Sequence, residues 1–345
     1  MTLPEGVIAL MWVGVTLYAV FGGADFGAGF WDLVAGGDRS GAGPRRLIEH
    51  SIGPVWEANH VWLIFVLVVL WTGFPRAFAP IMSGLYVPLI AAGVGVILRG
   101  AGFAFRKAVD DLGSRRLFGA TFALSSVITP FFFGAVAGAV ASGRVPVEPG
   151  AIEPFAPWVQ PTSMLGGALA VATCAYLAAT FLAVDAWRQR QAPLVSRYRR
   201  CGLGSAVVAG LIALGGIAIL RADAPRLYDG LTGRGLPLVA ASAVAGLASV
   251  VLLSRRRFGA ARAAAVAAVS SVVWGWAAAQ YPDLIVGRLT IAEAAGSRAT
   301  LVAMVASLAV GALLFVPPLA ALLVMHARGG LEARESDGNG GVPPP

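Results

Sequence analysis

Long apolar stretches, separated by short segments that hold most of the charged residues, dominate the chain. A transmembrane helix needs about 20 apolar residues. Nine stretches meet this length, near residues 6–34, 53–73, 78–105, 117–142, 162–187, 202–221, 235–254, 261–280 and 299–325. The pattern predicts an all-α polytopic membrane protein, with kinks where prolines interrupt a span, at Pro88, Pro130 and Pro317-Pro318.

The composition agrees with a membrane protein, because 57% of the residues are hydrophobic and only 13% are charged. A soluble domain carries about twice that charged fraction. The net charge of +8 comes from arginines in short loops, which membrane topology explains better than binding of nucleic acid does. Cys174 and Cys201 form no metal or disulfide motif, and the sequence contains no nucleotide-binding loop or catalytic triad.

The distribution of arginine and lysine predicts the orientation. The odd-numbered loops and the C-terminal tail hold 17 of the 26 basic residues, the even-numbered loops hold 6, and Arg99, Arg221 and Arg262 lie inside predicted spans. Basic loops remain on the cytoplasmic side. The N-terminus should therefore face outward and the C-terminus should face the cytoplasm. We expect the tail, residues 326–345, to be disordered because it is rich in glycine and proline.

An acid, an amide and an imidazole lie in the first two turns of the second predicted span: Glu57, Asn59 and His60. Ionisable groups at the mouth of a span are costly, which favours a functional role. Two interpretations of Glu57 stay open: a first-turn acid favoured by the helix dipole, or a proton-uptake residue. His60 follows three residues later on the same helical face, where it could exchange a proton with Glu57.

His60 also raises the question of haem ligation, which needs an axial His, Met or Cys inside a helix bundle. The chain has three histidines, and His50 and His326 lie at or beyond the ends of spans. His60 alone cannot form a bis-histidine haem site, while a methionine as the second axial ligand stays open. We favour a hydrogen-bonded interface histidine.

Three further charged residues lie within predicted spans: Asp25, Arg99 and Asp185. A rise of about 1.5 Å per residue places them roughly 28, 32 and 35 Å from the outer surface, hence close to the cytoplasmic one. Charges in membranes usually pair, so we expect a structural ion pair of Asp25 with Arg99, or a bond to the backbone, in preference to a transported-ion site. Asp32 and Asp185 should lie at the inner surface. Arg99 and Arg106 could instead extend to that surface by snorkelling.

Four short segments carry a resemblance to a known family. They are Asp25-Phe26-Gly27-Ala28-Gly29, the run from Ser51 to Leu63, Ser83-Gly84-Leu85-Tyr86 and Leu98-Arg99-Gly100. In their order and spacing, in the number of spans and in total length, the chain resembles subunit II of cytochrome bd-type quinol oxidases. The most specific element runs from Pro54 to Trp62, where an acid follows a tryptophan and an asparagine follows two residues later.

The resemblance implies a respiratory terminal oxidase that oxidises quinol and reduces oxygen to water with protons taken from the cytoplasm. Haem b and haem d would be held by the partner, subunit I, and this chain would ligate no metal. It would stabilise the haem-bearing subunit in a heterodimer and line the proton route. Glu57 occupies the position of the family's proton-uptake acid, and His60 stands where the family often has glutamine.

The same resemblance implies two four-helix bundles and a peripheral ninth helix in a bacterial inner membrane. The corresponding segments are a first bundle at 1–142, an outer loop at 143–160, a second bundle at 161–280 and the ninth helix at 299–325. The resemblance also allows for a bound structural quinone and a small single-helix accessory subunit. Trp56 and Trp62 are candidates for the subunit interface or for a channel wall.

Two other classes of function stay open. A proton-coupled secondary transporter would need broken helices and a polar site near the midplane, whereas the predicted charges gather near one surface. A passive membrane scaffold would leave Glu57 and His60 without a role.

Overall fold

The computed structural model of the protein describes residues 2–53, 56–109, 111–148 and 153–327, which are mostly helical. The first predicted span consists of α1 (Leu3–Leu17), a π-helical turn (Tyr18–Gly22) and α2 (Gly23–Leu33). The helices that follow are α3 (Asp38–Ile52), α4 (Trp56–Gly73), α5 (Pro75–Gly84), α6 (Tyr86–Ala108), α7 (Leu112–Ala141), α8 (Pro161–Arg188), α9 (Ala192–Asp223), α10 (Pro225–Thr232), α11 (Leu236–Ser254) and α12 (Phe258–Gln280). An antiparallel hairpin of β1 (Asp283–Ile285) and β2 (Leu289–Thr290) precedes α13 (Ile291–Ala294) and α14 (Arg298–Ala327).

Each predicted span falls on a helix. Among the described residues, seven helical segments are long and apolar enough to cross a membrane, and the number rises to eight if α3 and α4 form one bent span. In α14 the corresponding apolar segment is shorter, Arg298–Leu314. These helices confirm the class of an all-α polytopic membrane protein, while the number of nine spans and the orientation stay predictions.

The third predicted span, near residues 78–105, consists of two helices. α5 ends at Gly84 and α6 begins at Tyr86, so the chain breaks at Leu85. Pro88 therefore lies in the first turn of α6, where backbone N–H groups have no helical acceptor and a proline is tolerated. Pro130 lies inside α7, which continues through it.

Helix α3 occupies a segment that the sequence predicts to be a loop. It is too polar to be recognised as a span, yet it buries Leu47, Ile48 and Ile52 against the helices around it. Helices α10 and α13 and the hairpin also lie in predicted loops. Of the tail predicted to be disordered, residues 326–345, the first two belong to α14, and residues 328–345 lie outside the described residues.

The chain divides into two compact units, Met1–Gly296 and Ser297–Pro345. In the first unit, α2 packs against both α7 and α8, and close pairs form between α6 and α7, α8 and α9, and α11 and α12. The second unit contains α14. The division of the first eight spans into bundles at 1–142 and 161–280 stays a prediction.

Small residues allow the central helices to approach closely. A Cβ atom on Gly27 of α2 would overlap the carbonyl of Cys174 in α8. In the same way, a Cβ atom on Gly134 of α7 would overlap the carbonyl of Gly166 in α8, and one on Gly166 would overlap the carbonyl of Gly134. Close backbone approach through small residues is a common way in which membrane helices associate. The glycine beside Asp25 thus brings α2 directly against α8.

Two arginines end helices in a backbone conformation that usually belongs to glycine. Arg190 follows α8 with φ 56°, and Arg256 follows α11 with φ 58°. In both turns the backbone N–H of the following residue, Gln191 or Arg257, donates a hydrogen bond to the carbonyl five residues earlier, as in a Schellman motif. A side chain in this left-handed region costs about 1–2 kcal/mol relative to ordinary helical geometry.

Candidate functional site

A fully buried ion pair joins α2 to α6. Nη2 of Arg99 lies 2.6 Å from Oδ1 of Asp25, and the two side chains are 0% and 2% exposed. The same Nη2 atom donates to the Asp25 carbonyl at 3.1 Å, and Nε donates to Oγ of Ser126 at 3.0 Å. Arg99 therefore bonds to α2 and α7 at once and does not extend to the membrane surface.

Two aromatic rings enclose the guanidinium of Arg99. The Phe26 and Phe122 ring centres lie 5.1 and 4.9 Å from Cζ. Such cation–π contacts contribute more when they are desolvated, about 2 kcal/mol each. The Arg99 side chain is thus fixed in position by rings and hydrogen bonds together.

The ion pair is incompletely bonded. Within the described part of the chain, Oδ2 of Asp25 and Nη1 of Arg99 are buried and have no hydrogen-bond partner. Asp25 faces a cavity of about 260 Å³, whose polar lining residues are Ser51, Asn59 and Asp185 and whose apolar lining residues are Phe21, Ala24, Ala28, Ile52, Ala58, Trp62, Ala178, Phe181 and Leu182. A cavity of this size and polarity can hold water molecules that bond to the free carboxylate oxygen.

The cavity lies where α3 ends, α4 begins and α8 approaches its end. These are the helix ends that the arginine distribution assigns to the cytoplasm. Asn59 is 7% exposed, and its Nδ2 donates to the carbonyl of Phe21 at 3.5 Å. Phe21 belongs to the π-helical turn, a distortion that is frequent at functional sites.

The three polar residues of the second span point in different directions. Asn59 enters the cavity beside Asp25, whereas Glu57 is exposed on the surface of this chain. The ring of His60 is half-buried and packs 6.1 Å from Tyr18 and 6.0 Å from Phe26. The described contacts therefore associate Asn59, and not His60, with the buried charges.

The other candidate residues are placed as follows. Asp185 is half-buried in the wall of the cavity and forms no ion pair with any residue that the structure describes. Trp62 lines the same cavity, and its ring contacts that of Phe65. The backbone of Trp56 begins α4, but its side chain lies outside what the structure describes.

A second charge cluster lies further along α2. Oδ2 of Asp32 lies 2.8 Å from Nη1 of Arg106, and Oδ1 lies 3.2 Å from Nε of Arg45. Arg106 also approaches Glu49 at 3.5 Å. The snorkelling interpretation of Arg106 is therefore wrong, because carboxylates of α2 and α3 bind its guanidinium.

The pairing of Asp32 with Arg106 could have been predicted from the spacing of the charged residues in the sequence. Asp25 and Arg99 are separated by 74 residues, and so are Asp32 and Arg106. Residues seven apart lie on the same face of a helix. Once one pair is assigned, equal spacing on both helices predicts the other. Ser126 could not be found in this way, because its hydroxyl is one of many in apolar helices.

Fold and site together define a polytopic helical membrane protein with a buried, incompletely bonded charge pair beside a small, mostly apolar cavity that Ser51, Asn59 and Asp185 also line. Comparison with known proteins narrows this class. The family model for cytochrome bd terminal oxidase subunit II matches residues 3–325. The chain belongs to this family, which confirms the resemblance found in the sequence.

Individual relatives agree. Cytochrome bd ubiquinol oxidase subunit 2 of Bacillus subtilis is 31% identical over 37% of this chain, and cytochrome bd-I ubiquinol oxidase subunit 2 of Escherichia coli is 30% identical over 40%. These alignments span 36% and 37% of the relatives' own length. A chain in the structure of bd oxidase from Geobacillus thermodenitrificans matches with TM-score 0.73 and 26% identity, over 94% of this chain and 99% of that one.

Proposed function

We propose that this chain is the non-haem-ligating subunit of a respiratory oxidase that oxidises quinol and reduces oxygen to water. It stabilises the haem-bearing subunit I in a heterodimer of the bacterial inner membrane and provides part of the route by which cytoplasmic protons reach the reaction. Family membership supports the class of enzyme. The observation that carries the proton route is the cavity where Asp25 presents a free carboxylate oxygen beside Asn59 and Asp185.

The exposed face of α4 supports a subunit interface next to Glu57. Val61, Ile64, Val68 and Trp71 are 48–64% exposed and follow Glu57 at alternating steps of four and three residues. This spacing places all five side chains on one face, as in the seam between packed helices. A partner that covers the apolar part of this face would also cover the approach to Glu57.

In this arrangement the chain's own groups receive and hold protons. The Glu57 carboxylate lies at the first turn of α4, where it exchanges protons with cytoplasmic water. Water in the cavity would bond to Asn59 and to Oδ2 of Asp25, while Arg99 keeps Asp25 in place. Trp62 forms an apolar wall of the same cavity, and we propose it as a candidate wall for oxygen access too.

The residues around His60 do not fit haem ligation by this chain. The Tyr18 and Phe26 rings stand about 6 Å from the imidazole and fill space that a porphyrin would need. His50 is exposed on the surface of this chain. We therefore assign haem b and haem d, which carry out the oxygen chemistry, to subunit I.

The proposed topology has nine spans, with the N-terminus outside and the C-terminus in the cytoplasm. It counts α4 and α14 as spans two and nine, and α14 as the peripheral helix. Cysteine labelling of single-cysteine variants at Glu153 and at Arg190 tests it, since both residues are exposed in this chain. An impermeant reagent added to intact cells should modify position 153 and leave position 190 unmodified. Labelling of position 190 from outside would refute this orientation.

Variants at Glu57 test the proton route. In the purified complex, Glu57→Gln should slow quinol-driven oxygen consumption at least tenfold, a threshold below the roughly 10²–10⁴-fold that a positioned proton-transfer group contributes. Glu57→Asp should keep most of the activity because its carboxylate still titrates. The haem absorption spectrum should be unchanged in both, which separates proton delivery from assembly.

The matched control is Glu153→Gln, which removes an exposed acid from the segment between α7 and α8. It should leave turnover unchanged. Full activity in Glu57→Gln would exclude Glu57 from proton uptake. If the purified chain transported ions without any pigmented partner, the oxidase assignment itself would be wrong.

A further inference from the structure

A second cavity lies at the opposite end of the helices from Asp25. It has a volume of about 450 Å³ and forms where α7 ends, α10 begins and the hairpin turns. This volume lies within the usual range of small-molecule sites. Backbone and small side chains of Ala141, Ser142, Gly143 and Ala224 form much of its wall.

Two arginines give this cavity a positive charge. Arg226 and Arg288 both line it, and no acidic residue is among its lining residues. Within the described part of the chain, the side chain of Arg226 forms no hydrogen bond or ion pair, and the side chain of Arg288 donates only to the carbonyl of Gly143, at 3.4 Å. Both guanidinium groups therefore keep most of their donors free.

The neighbouring Arg144 differs, because an acid already neutralises it. Its two terminal nitrogens lie 2.8 and 2.6 Å from the carboxylate oxygens of Asp223, and this hydrogen bonding raises the pKa of Arg144. Asp223 also accepts from the backbone of Thr162 at 3.0 Å. The Asp223 carboxylate thus pairs with Arg144 and not with the cavity arginines. Asp283 of the hairpin accepts from the amide of Gly287 at 2.6 Å and, among the described residues, forms no ion pair with Arg226 or Arg288.

Two glycines with positive φ shape the cavity. Gly143 and Gly287 have φ of 72° and 66°, a region that side chains rarely adopt. A Cβ atom on Gly287 would overlap the guanidinium of Arg226, and one on Gly143 would overlap the carbonyl of Val286. Glycine at both turns therefore lets the hairpin approach α7 and leaves room for Arg226 over the turn.

We propose that this cavity binds a phosphate group, held by the guanidinium groups of Arg226 and Arg288. A guanidinium offers paired N–H donors that match phosphate oxygens and is the side chain most often used for this purpose. The position of the cavity at the ends of the helices admits two sources of phosphate. One is the headgroup of an anionic phospholipid in the adjacent leaflet, and the other is a free phosphate ion.

The test uses the purified complex and two double variants. In the first, Arg226→Gln and Arg288→Gln remove both charges from the cavity. The control, Arg221→Gln with Arg234→Gln, removes two exposed arginines at the same end of the helices that do not line the cavity. Each protein is washed in detergent and then given either phosphatidylglycerol or inorganic phosphate, with sodium chloride at equal ionic strength for comparison.

Two measurements distinguish the sources. If a lipid headgroup binds, native mass spectrometry should show about one phosphatidylglycerol fewer per complex in the first double variant than in the wild type and the control. The affinity of that variant for phosphatidylglycerol should be at least tenfold weaker. If a free ion binds, lipid content should be unchanged, while phosphate should raise the unfolding temperature of the wild type and control but not of the first variant. Equal lipid retention and equal phosphate response in all three proteins would overturn the proposal.

Discussion

Replacement of Arg99 by methionine should be strongly destabilising. The variant leaves the Asp25 carboxylate, which is 2% exposed, without its counter-charge, and it also removes the hydrogen bond to Ser126. Breaking a buried ion pair by removing one partner costs about 3–5 kcal/mol. Because 1.4 kcal/mol is a factor of ten, the ratio of folded to unfolded protein should fall by roughly 10² to 4 × 10³.

Two further variants show whether the ion pair itself causes this loss. Asp25→Asn combined with Arg99→Met removes both charges, so part of the stability should return even though the hydrogen bonds are still missing. Arg106→Met on the same helix is the matched control. Its partner Asp32 keeps Arg45 at 3.2 Å as a counter-charge, so we expect a smaller loss, about 1.5–3 kcal/mol, as for a hydrogen bond to a charged group.

Unfolding of the purified complex in mixed detergent micelles, followed by intrinsic fluorescence, measures these differences. The yield of haem-containing complex from membranes reports assembly separately. The ion pair is not the cause of the loss if Arg99→Met is as stable as Arg106→Met. The same holds if the double variant with Asp25→Asn is no more stable than Arg99→Met alone.

Two other predictions concern the backbone. Gly134→Ala should destabilise the folded complex by about 1–3 kcal/mol, because its Cβ would overlap the Gly166 carbonyl and separate α7 from α8. The control is Gly204→Ala, whose Cβ would meet no atom within 4 Å. Equal stability of the two variants would contradict the close approach of α7 and α8. Arg256→Gly should stabilise by about 1 kcal/mol in the same assay, since glycine accepts φ of 58° without strain. Arg255→Gly, one residue earlier at φ −83°, should give no gain.

Much of the fold follows from the sequence because apolar length is a strong signal in membranes. Every predicted span coincides largely with helix, although the third is divided between α5 and α6 and α9 begins ten residues before its predicted span. The helix α3 was missed because it is polar and amphipathic, and its burial depends on neighbours that only the folded chain supplies. The break at Leu85 was missed for a similar reason, since hydropathy continues across it without interruption.

The candidate site was predicted in part. The sequence singled out Asp25 and Arg99, and they lie in direct contact. It also grouped Glu57 with His60 by helical spacing, whereas the structure directs Asn59 toward the buried charges and leaves Glu57 on the outer face of α4. Spacing along one helix shows which residues share a face, but not which face meets the rest of the protein.

The two ion pairs between α2 and α6 fix the register of one helix against the other. Asp25 and Asp32 are seven residues apart and bind partners, Arg99 and Arg106, that are also seven apart. Sliding one helix past the other by a single turn, about 5.4 Å, would break both ion pairs at once and leave Asp32 with Arg45 alone. A displacement of α2 relative to α6 would have to break both ion pairs, so we expect the two helices to move together in any conformational change that accompanies turnover.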